Sequence, residues 1–393
     1  MLILVVNKGF SFSNFIGDYK IIDEYAHTTL PESSTNISQD SRYQSYTIET
    51  VYDSCSLSEI YSLKTYSEDS IAFEFAAIDI NNCADILNFC KKYGLICSDR
   101  MLNNTTTDYI FFKTTKNNYA PVVPQNDRDS IPLHIFCSYV IEMRQLLKLL
   151  SGINEANYVA IIEALVFFSL HSAELHFFIN DCPSFFDYDN FRAHFHRYIR
   201  RNSLDDLLLQ DKIDAYIHEL ENYIHLHDDY EYDFDFEYDF VLHCEGQALI
   251  TMFQNLSKIV NIKDVTEEGV VSFSRELTNT MISDAMNIDY LLSLANSFVI
   301  NFLNSQLRDI FPEIKYENGE LIGDWQVRDL LSAMYLEIFL SLSPNNKLKK
   351  CANPSCNGYF EVGKSNSRKI YCSQRCAMLM AKRKQRERDK LRK

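Results

Sequence analysis

Four cysteines near the C-terminus constrain this chain more than any other feature of its sequence. Cys351 and Cys356 are separated by four residues, fifteen residues lie between Cys356 and Cys372, and three lie between Cys372 and Cys376. Two close cysteine pairs at this distance match a structural zinc site, because zinc prefers a closed tetrahedron of thiolates. The sequence therefore predicts structural Zn²⁺ with no open position for catalysis; the alternative is four unrelated thiols in a loose tail.

The residues around these cysteines favour turns and a helix rather than a hydrophobic core. Gly358 suits a tight turn next to the first pair. Ser373 can cap a helix that begins just after Cys372, which would put Cys376 in the first helical turn. A segment of about 45 residues with few core hydrophobes needs a metal to fold. We expect residues 347–393 to form a treble-clef-like or zinc-ribbon-like module that ends in a basic helix.

The same segment carries a family resemblance. The run LKKCANPSCNGYF, followed by NSRKIYCSQRC, resembles the C-terminal zinc finger of the CGNR family, bacterial proteins thought to regulate transcription. More weakly, IAFEFAAIDINNCADILNFCKKYGLI resembles the strand-then-helix opening of that family's ABATE domain. The family takes its name from a Cys-Gly-Asn-Arg tetrapeptide. Residues 376–379 of this chain read CAML instead, which would make it a divergent member. The resemblance implies a bacterial transcription regulator with a C-terminal zinc finger.

Charge is divided unevenly along the chain. The formal net charge is −16, yet the stretch from Lys347 to Lys393 holds 15 lysines and arginines against three acids. An acidic body with a small basic tail is typical of an accessory module that contacts nucleic acid, with the basic side chains against phosphates. We expect DNA rather than RNA as the partner. The candidate nucleic-acid-binding residues are Arg368, Lys369, Arg375, Lys382, Arg383, Lys384, Arg386 and Arg388.

A second charged segment, DDYEYDFDFEYDF at 228–240, alternates acids with aromatic residues. As a strand it would present one acidic and one aromatic face. It is read either as a surface loop or edge strand packed on a helical domain, or as a mimic of nucleic acid that receives the basic tail. A site for a partner protein or a cation is the remaining reading.

The rest of the chain predicts an α+β protein. Residues 1–130 are expected to form an N-terminal α/β region, with strands in MLILVV, KIIDEY, YTIETVYD and SIAFEFAAIDI. A helix should follow, with Ile86, Leu87 and Phe89 on one face and Gly94 as its stop signal.

Residues 131–346 are expected to form a mainly α-helical domain. Apolar residues recur there at three- and four-residue steps, and Pro312 and Pro344 are each predicted to end a helix. The scattered cysteines elsewhere suit a reducing cytoplasm, and no apolar stretch is long enough to span a membrane.

No catalytic motif stands out, so we expect no enzyme. His171 and His176 flank Glu174, but without the spacing of a metalloprotease. The favoured function is a nucleic-acid-binding regulator whose body senses a signal or forms a homodimer. The alternative is a protein-interaction module, in which the zinc unit is a structural cap and the basic helix docks on an acidic partner or on 228–240. A nucleic-acid-processing enzyme with its site in the helical domain is a third reading.

Overall fold

The computed structural model describes residues 11–23, 28–34, 46–51, 56–61, 70–96, 130–170, 213–214, 217–218, 221, 236–266, 268–307, 310–317, 320–327, 329–342, 346–356, 358–363 and 368–391. These form two compact units. The first contains the described residues up to Leu147 and from Gln306 onward, and the second contains those from Lys148 to Ser305.

The described elements mix helices with small sheets. The strands are β1 (Ser11–Ile16), β2 (Tyr19–Asp23), β3 (Thr28–Thr29), β4 (Tyr46–Thr50), β5 (Ser56–Tyr61), β6 (Ser130–Pro132), β7 (Ile262–Val265), β8 (Val271–Phe273), β9 (Phe311–Glu317), β10 (Glu320–Gln326), β11 (Asn346–Lys350) and β12 (Tyr359–Gly363). The helices are α1 (Ile71–Ala76), α2 (Cys83–Tyr93), α3 (Leu133–Glu155), α4 (Tyr158–Leu170), α5 (Phe236–Ile259), α6 (Asn279–Ala285), α7 (Ile288–Gln306), α8 (Leu330–Ser341) and α9 (Gln374–Leu391).

In the first unit, an antiparallel sheet has the strand order β3-β2-β4-β6, and β1 pairs with β5 in a separate ladder. Tyr19, Ile21, Tyr46 and Ile48 are buried from β2 and β4. Alternate residues of a strand face the same side, so these side chains supply one apolar face of the sheet. The prediction of strands in KIIDEY and YTIETVYD is confirmed, whereas MLILVV lies outside the described residues.

The prediction of a strand over 70–80 is wrong, because α1 occupies that stretch. The Ser70 side chain caps this helix, and the Glu337 carboxylate of α8 accepts a hydrogen bond of 3.0 Å from the backbone N–H of Ala72. At the other end, Arg144 of α3 donates to two backbone carbonyl groups. These partners satisfy helix-end groups that would otherwise be buried without hydrogen bonds. Tertiary contacts therefore stabilise the helix.

Helix α2 confirms its prediction. Asn82 caps its first turn, and Gly94 ends it with φ 85°, a conformation that favours glycine. The predicted apolar face is buried, and Phe89 packs against Phe75 and Phe136 with ring centroids 5.1 and 6.3 Å away. These aromatic rings join α1, α2 and α3 in the core of the first unit.

Helix α8 lies in the core of the first unit, shortly before the cysteine module. Its residues from Leu330 to Ile338 are all buried, and its Tyr335 hydroxyl donates a hydrogen bond of 2.7 Å to the buried Glu142 carboxylate of α3. Burial, with Glu142 nearby, raises the pKa of the Tyr335 phenol well above its ordinary value. This buried hydrogen bond ties α8 to α3.

Strands β9 and β10 form an antiparallel hairpin within the stretch expected to be mainly helical. Pro312 lies in β9, and the preceding helix α7 ends earlier, at Gln306, so the prediction that Pro312 ends a helix is wrong. The sequence held a signal for this hairpin in Asn318 and Gly319, a pair favoured in two-residue hairpin connections. Pro344 lies outside the described residues.

In the second unit, Phe168 of α4 packs on Phe298 and Phe302 of α7, with ring centroids 4.7 and 5.5 Å apart. Asn279 of α6 donates to the carbonyl oxygen of Ala156 and accepts from the N–H of Val159. The apolar periodicity correctly predicted helices here, although β7 and β8 interrupt them.

The acidic-aromatic segment at 228–240 differs from its expected form where it is described. Phe236 to Phe240 begin helix α5, so these residues do not form a strand with acidic and aromatic faces. Residues 228–235 lie outside the described part of the chain. Among the described residues, no helix is long and apolar enough to cross a membrane.

Candidate metal centre

A β-hairpin carries the first pair of cysteines. Strand β11 pairs antiparallel with β12, and Lys350 lies opposite Tyr359 at the end of the ladder. Beyond the ladder, the N–H of Cys351 donates to the carbonyl oxygen of Gly358 at 3.0 Å, and the N–H of Cys356 donates to that of Asn353 at 2.9 Å. These bonds close a tight turn that directs both cysteines to one place.

Helix α9 carries the second pair at its N-terminal end. Ser373 precedes the helix, and its hydroxyl oxygen accepts a hydrogen bond of 3.3 Å from the N–H of Cys376. This is the N-cap predicted from the sequence, and it leaves Cys376 in the first turn. A helix N-terminus favours negative charge, so the position stabilises a thiolate.

The two pairs meet in one four-cysteine cluster. The Sγ atoms of Cys351, Cys356, Cys372 and Cys376 all lie within 4.8 Å of one another. The Cys372 sulfur lies 3.7 Å from that of Cys356 and 3.6 Å from that of Cys376. A disulfide needs sulfurs about 2.05 Å apart, so all four thiols are unpaired. The cluster can hold a metal ion.

Backbone N–H groups point at the sulfurs. The N–H of Gly358 donates to Cys356 Sγ, and the N–H of Cys372 donates to Cys351 Sγ, each at 3.4 Å. Such bonds stabilise a thiolate more than a thiol, because the charged form is the better acceptor. A Cβ atom on residue 358 would lie 3.2 Å from Cys356 Sγ, so glycine leaves room for that sulfur.

Asn353 links the two halves of the cluster. Its side chain is 6% exposed, and its amide donates a hydrogen bond of 3.4 Å to Cys376 Sγ. The side-chain oxygen of Asn353, Oδ1, accepts a hydrogen bond of 3.2 Å from the N–H of Ser355, which fixes the orientation of the side-chain amide. Asn353 is not among the site residues predicted from the sequence, and its position between Cys351 and Cys356 is the signal that points to it.

The surroundings of Cys356, Cys372 and Cys376 shift the pKa values of their thiols in different directions. Burial would raise the pKa of Cys376, but hydrogen bonds with Asn353 and Ser373, and then with Cys372 and Cys356, together outweigh it and lower that pKa to about 7. Burial raises the pKa of Cys356 and of Cys372. The second pair therefore combines a thiol that ionises readily, Cys376, with one that ionises with difficulty unless a cation is present, Cys372.

A small apolar cluster supports the cysteines. Phe360 and Val362 of β12 are buried together with Cys351 and Cys376, and Tyr371 packs against them. A cluster of this size is too small to hold a module together alone, in line with the predicted need for metal.

The predicted nucleic-acid-binding residues lie on two parts of the module. Arg368 is exposed, and Lys369 lies over the Phe360 ring with its Nζ 5.3 Å from the centroid. The others are on α9, where every side chain from residue 381 to 390 is exposed. Arg383 forms an ion pair of 3.5 Å with Glu387.

The basic residues of α9 fall on different faces of the helix. At about 100° per residue, Arg375, Lys382 and Arg386 share one face. Lys384 and Arg388 lie on the opposite face. The helix thus divides five residues that the sequence presents as one basic group.

No protein-family model, curated protein or solved structure matches this chain. The resemblance to the CGNR zinc finger therefore stays a prediction. The function has to come from the geometry of the cluster and of α9.

The remaining candidate residues cannot be placed. His171, Glu174 and His176 lie outside the described residues. Within the described part of the chain, the four cysteines are the one group of metal-ligating side chains close enough to share an ion.

Proposed function

We propose that the four cysteines bind a structural Zn²⁺ and that the resulting module presents α9 to nucleic acid. The sulfur spacing carries the metal assignment. With zinc–sulfur bonds of about 2.3 Å, neighbouring sulfurs in a tetrahedron lie about 3.8 Å apart. The separations of 3.6 and 3.7 Å around Cys372 are close to that value. Four thiolates would complete the coordination, so the zinc would stabilise the fold rather than act in catalysis.

The order of elements supports a treble-clef-like module. One cysteine pair lies in the turn of a β-hairpin, and the other lies at the start of a helix. Zinc would join the hairpin to the helix at the one point where they share ligands. The likeness of this segment to the CGNR finger supports the same arrangement.

The charge and exposure of α9 support contact with nucleic acid. The helix holds seven basic and two acidic residues, and its outer ten residues from 381 to 390 are exposed on all sides. Exposed lysines and arginines attract the phosphate backbone and release its counterions. We therefore propose a DNA-binding transcription regulator, acting in the cytoplasm, where thiols stay reduced.

The test is a salt titration of duplex binding by the full-length, zinc-loaded protein. About four phosphate contacts would weaken binding about a hundredfold between 50 and 200 mM salt. The variant with Lys382, Lys384, Arg386 and Arg388 all changed to Gln should lose about half of this dependence. Binding that is absent, or that is equal in the variant, would contradict the proposal and favour a protein partner for α9.

A further inference from the structure

Two exposed apolar side chains lie within the basic part of α9. Met378 is 54% exposed and Leu379 is 49% exposed. At about 100° per residue, they fall on either side of the line through Arg375 and Lys382. The helix therefore presents an apolar pair bordered by positive charge at both ends.

This apolar pair does not continue into a surface for another helix. A partner helix, including α9 of a second copy, would need apolar residues at further three- and four-residue steps. The positions three and four residues after Met378 and Leu379 are Ala381, Lys382 and Arg383, and the positions seven residues after them are Gln385 and Arg386, so alanine is the largest apolar side chain in this set. A second α9 would also bring its positive charges against these. These charges favour a partner that offers negative groups next to an apolar strip.

The major groove of duplex DNA has this pattern. Phosphates line both of its edges, and each thymine places a methyl group on its floor. The groove is about 12 Å wide and admits a helix about 10–12 Å in diameter. The outer ten residues of α9 are exposed all round, and Arg375, Met378 and Leu379 before them are exposed as well, so this face of the helix is free to enter.

We infer that α9 binds in the major groove of B-form DNA, with Leu379 against thymine methyl groups and with Arg375, Lys382 and Arg386 on the same inward face. This rests on the proposed nucleic-acid binding and names the class of nucleic acid. Duplex RNA is excluded as an equal partner, because its major groove is too deep and narrow for side chains to read. Leu379 is then a residue that determines specificity.

The test compares three duplexes of one length: DNA of mixed A·T pairs, the same DNA with uracil replacing thymine, and the corresponding RNA. The zinc-loaded, full-length protein is titrated against each and followed by fluorescence anisotropy. Uracil lacks only the thymine methyl, so its DNA should bind about fourfold more weakly for each methyl contacted. The RNA should bind most weakly.

Two variants test whether Leu379 causes the difference in affinity between thymine DNA and uracil DNA. Leu379→Ala should bind thymine DNA about as weakly as the unmodified protein binds uracil DNA, and should no longer distinguish the two. Ala381→Ser, on the opposite side of α9, should behave like the unmodified protein. Salt-dependent binding of equal strength to all three duplexes would overturn this inference and leave the proposed nucleic-acid binding by α9 intact. Absence of binding to any duplex would overturn both.

Discussion

The side-chain amide of Asn353 donates a hydrogen bond of 3.4 Å to the sulfur of Cys376, joining the first cysteine turn to the first turn of α9. The donor favours the ionised sulfur, and the pKa of Cys376 is lowered to about 7 despite its burial, with Asn353 and Ser373 as the main opposing causes. A buried residue without a ligand role thus prepares the cluster for a cation.

Replacing Asn353 with Ala should raise the pKa of Cys376 and weaken zinc binding. Residues that hydrogen-bond to metal ligands typically contribute about 10- to 100-fold to affinity. Competition with a zinc-binding dye measures the change. Ser355→Ala is the matched control, because Ser355 is exposed and takes part through its backbone N–H. Equal affinities in the two variants would show that the Asn353 contact does not matter for the metal.

Two matched double variants can distinguish the contributions of the two faces of α9 to DNA binding. Lys382→Gln with Arg386→Gln removes two charges from the face that holds Arg375, and Lys384→Gln with Arg388→Gln removes two from the opposite face. The first pair should lower the slope of log affinity against log salt by about 2, since each lost phosphate contact lowers it by about 1. The second should change it little. Equal slopes for both variants would indicate a flexible basic tail rather than one contacting face.

The carboxyl group of Glu361 should make the stability of the hairpin formed by β11 and β12 depend on pH. Burial raises the pKa of its carboxyl from 4.5 to about 7, against the opposing effect of a hydrogen bond with Ser341. One carboxyl oxygen is buried without a hydrogen-bond partner among the described residues. A carboxyl with a higher pKa in the folded state holds its proton more tightly there. The free energy of unfolding should therefore fall as pH rises from about 4.5 to about 7, and then level off.

Glu361→Gln should remove this dependence, because the amide stays neutral. Amide hydrogen exchange in β11 and β12, followed at pH 5.5 and 8, measures it locally. Glu387→Gln, at an exposed acid of α9, is the control that should keep the dependence. A Glu361→Gln variant with an unchanged pH response would show that another group causes it.

In the second unit, Asn279 should stabilise the connection between α3 and α4. Its amide holds the carbonyl group of Ala156, which has the unfavourable φ of 52°, and its carbonyl oxygen accepts from Val159. Asn279→Ala should lower the free energy of unfolding by about 1–2 kcal/mol, the usual cost of losing such a cap. Urea denaturation measures it. Asn296→Ala is the control, since the amide of Asn296 donates to the carbonyl oxygen of Leu292 within its own helix. A loss as large there would argue against the bridge.

The sequence could predict the site better than the fold around it. Cysteine spacing identified the four residues of the cluster, and Ser373 predicted the start of α9, because both signals are local. The stretch at 70–80 was wrongly predicted as a strand, because Phe73 and Phe75 alternate with polar or small residues as they would in a strand. The contact that stabilises the helix there comes from Glu337, 265 residues away. Asn353 could not be predicted for a similar reason, because its role depends on the sulfur of Cys376, which is 23 residues further along the chain.

The proposed role of zinc in the four-cysteine cluster is to orient α9 for DNA. The direct test measures duplex binding by one preparation of full-length protein with zinc, after chelation, and after zinc is restored. Loss of zinc should weaken binding about tenfold or more, because ordering a loose segment on binding costs about 2–5 kcal/mol, and restoration should recover it. Equal affinity with and without zinc, at the same salt concentration, would contradict the account.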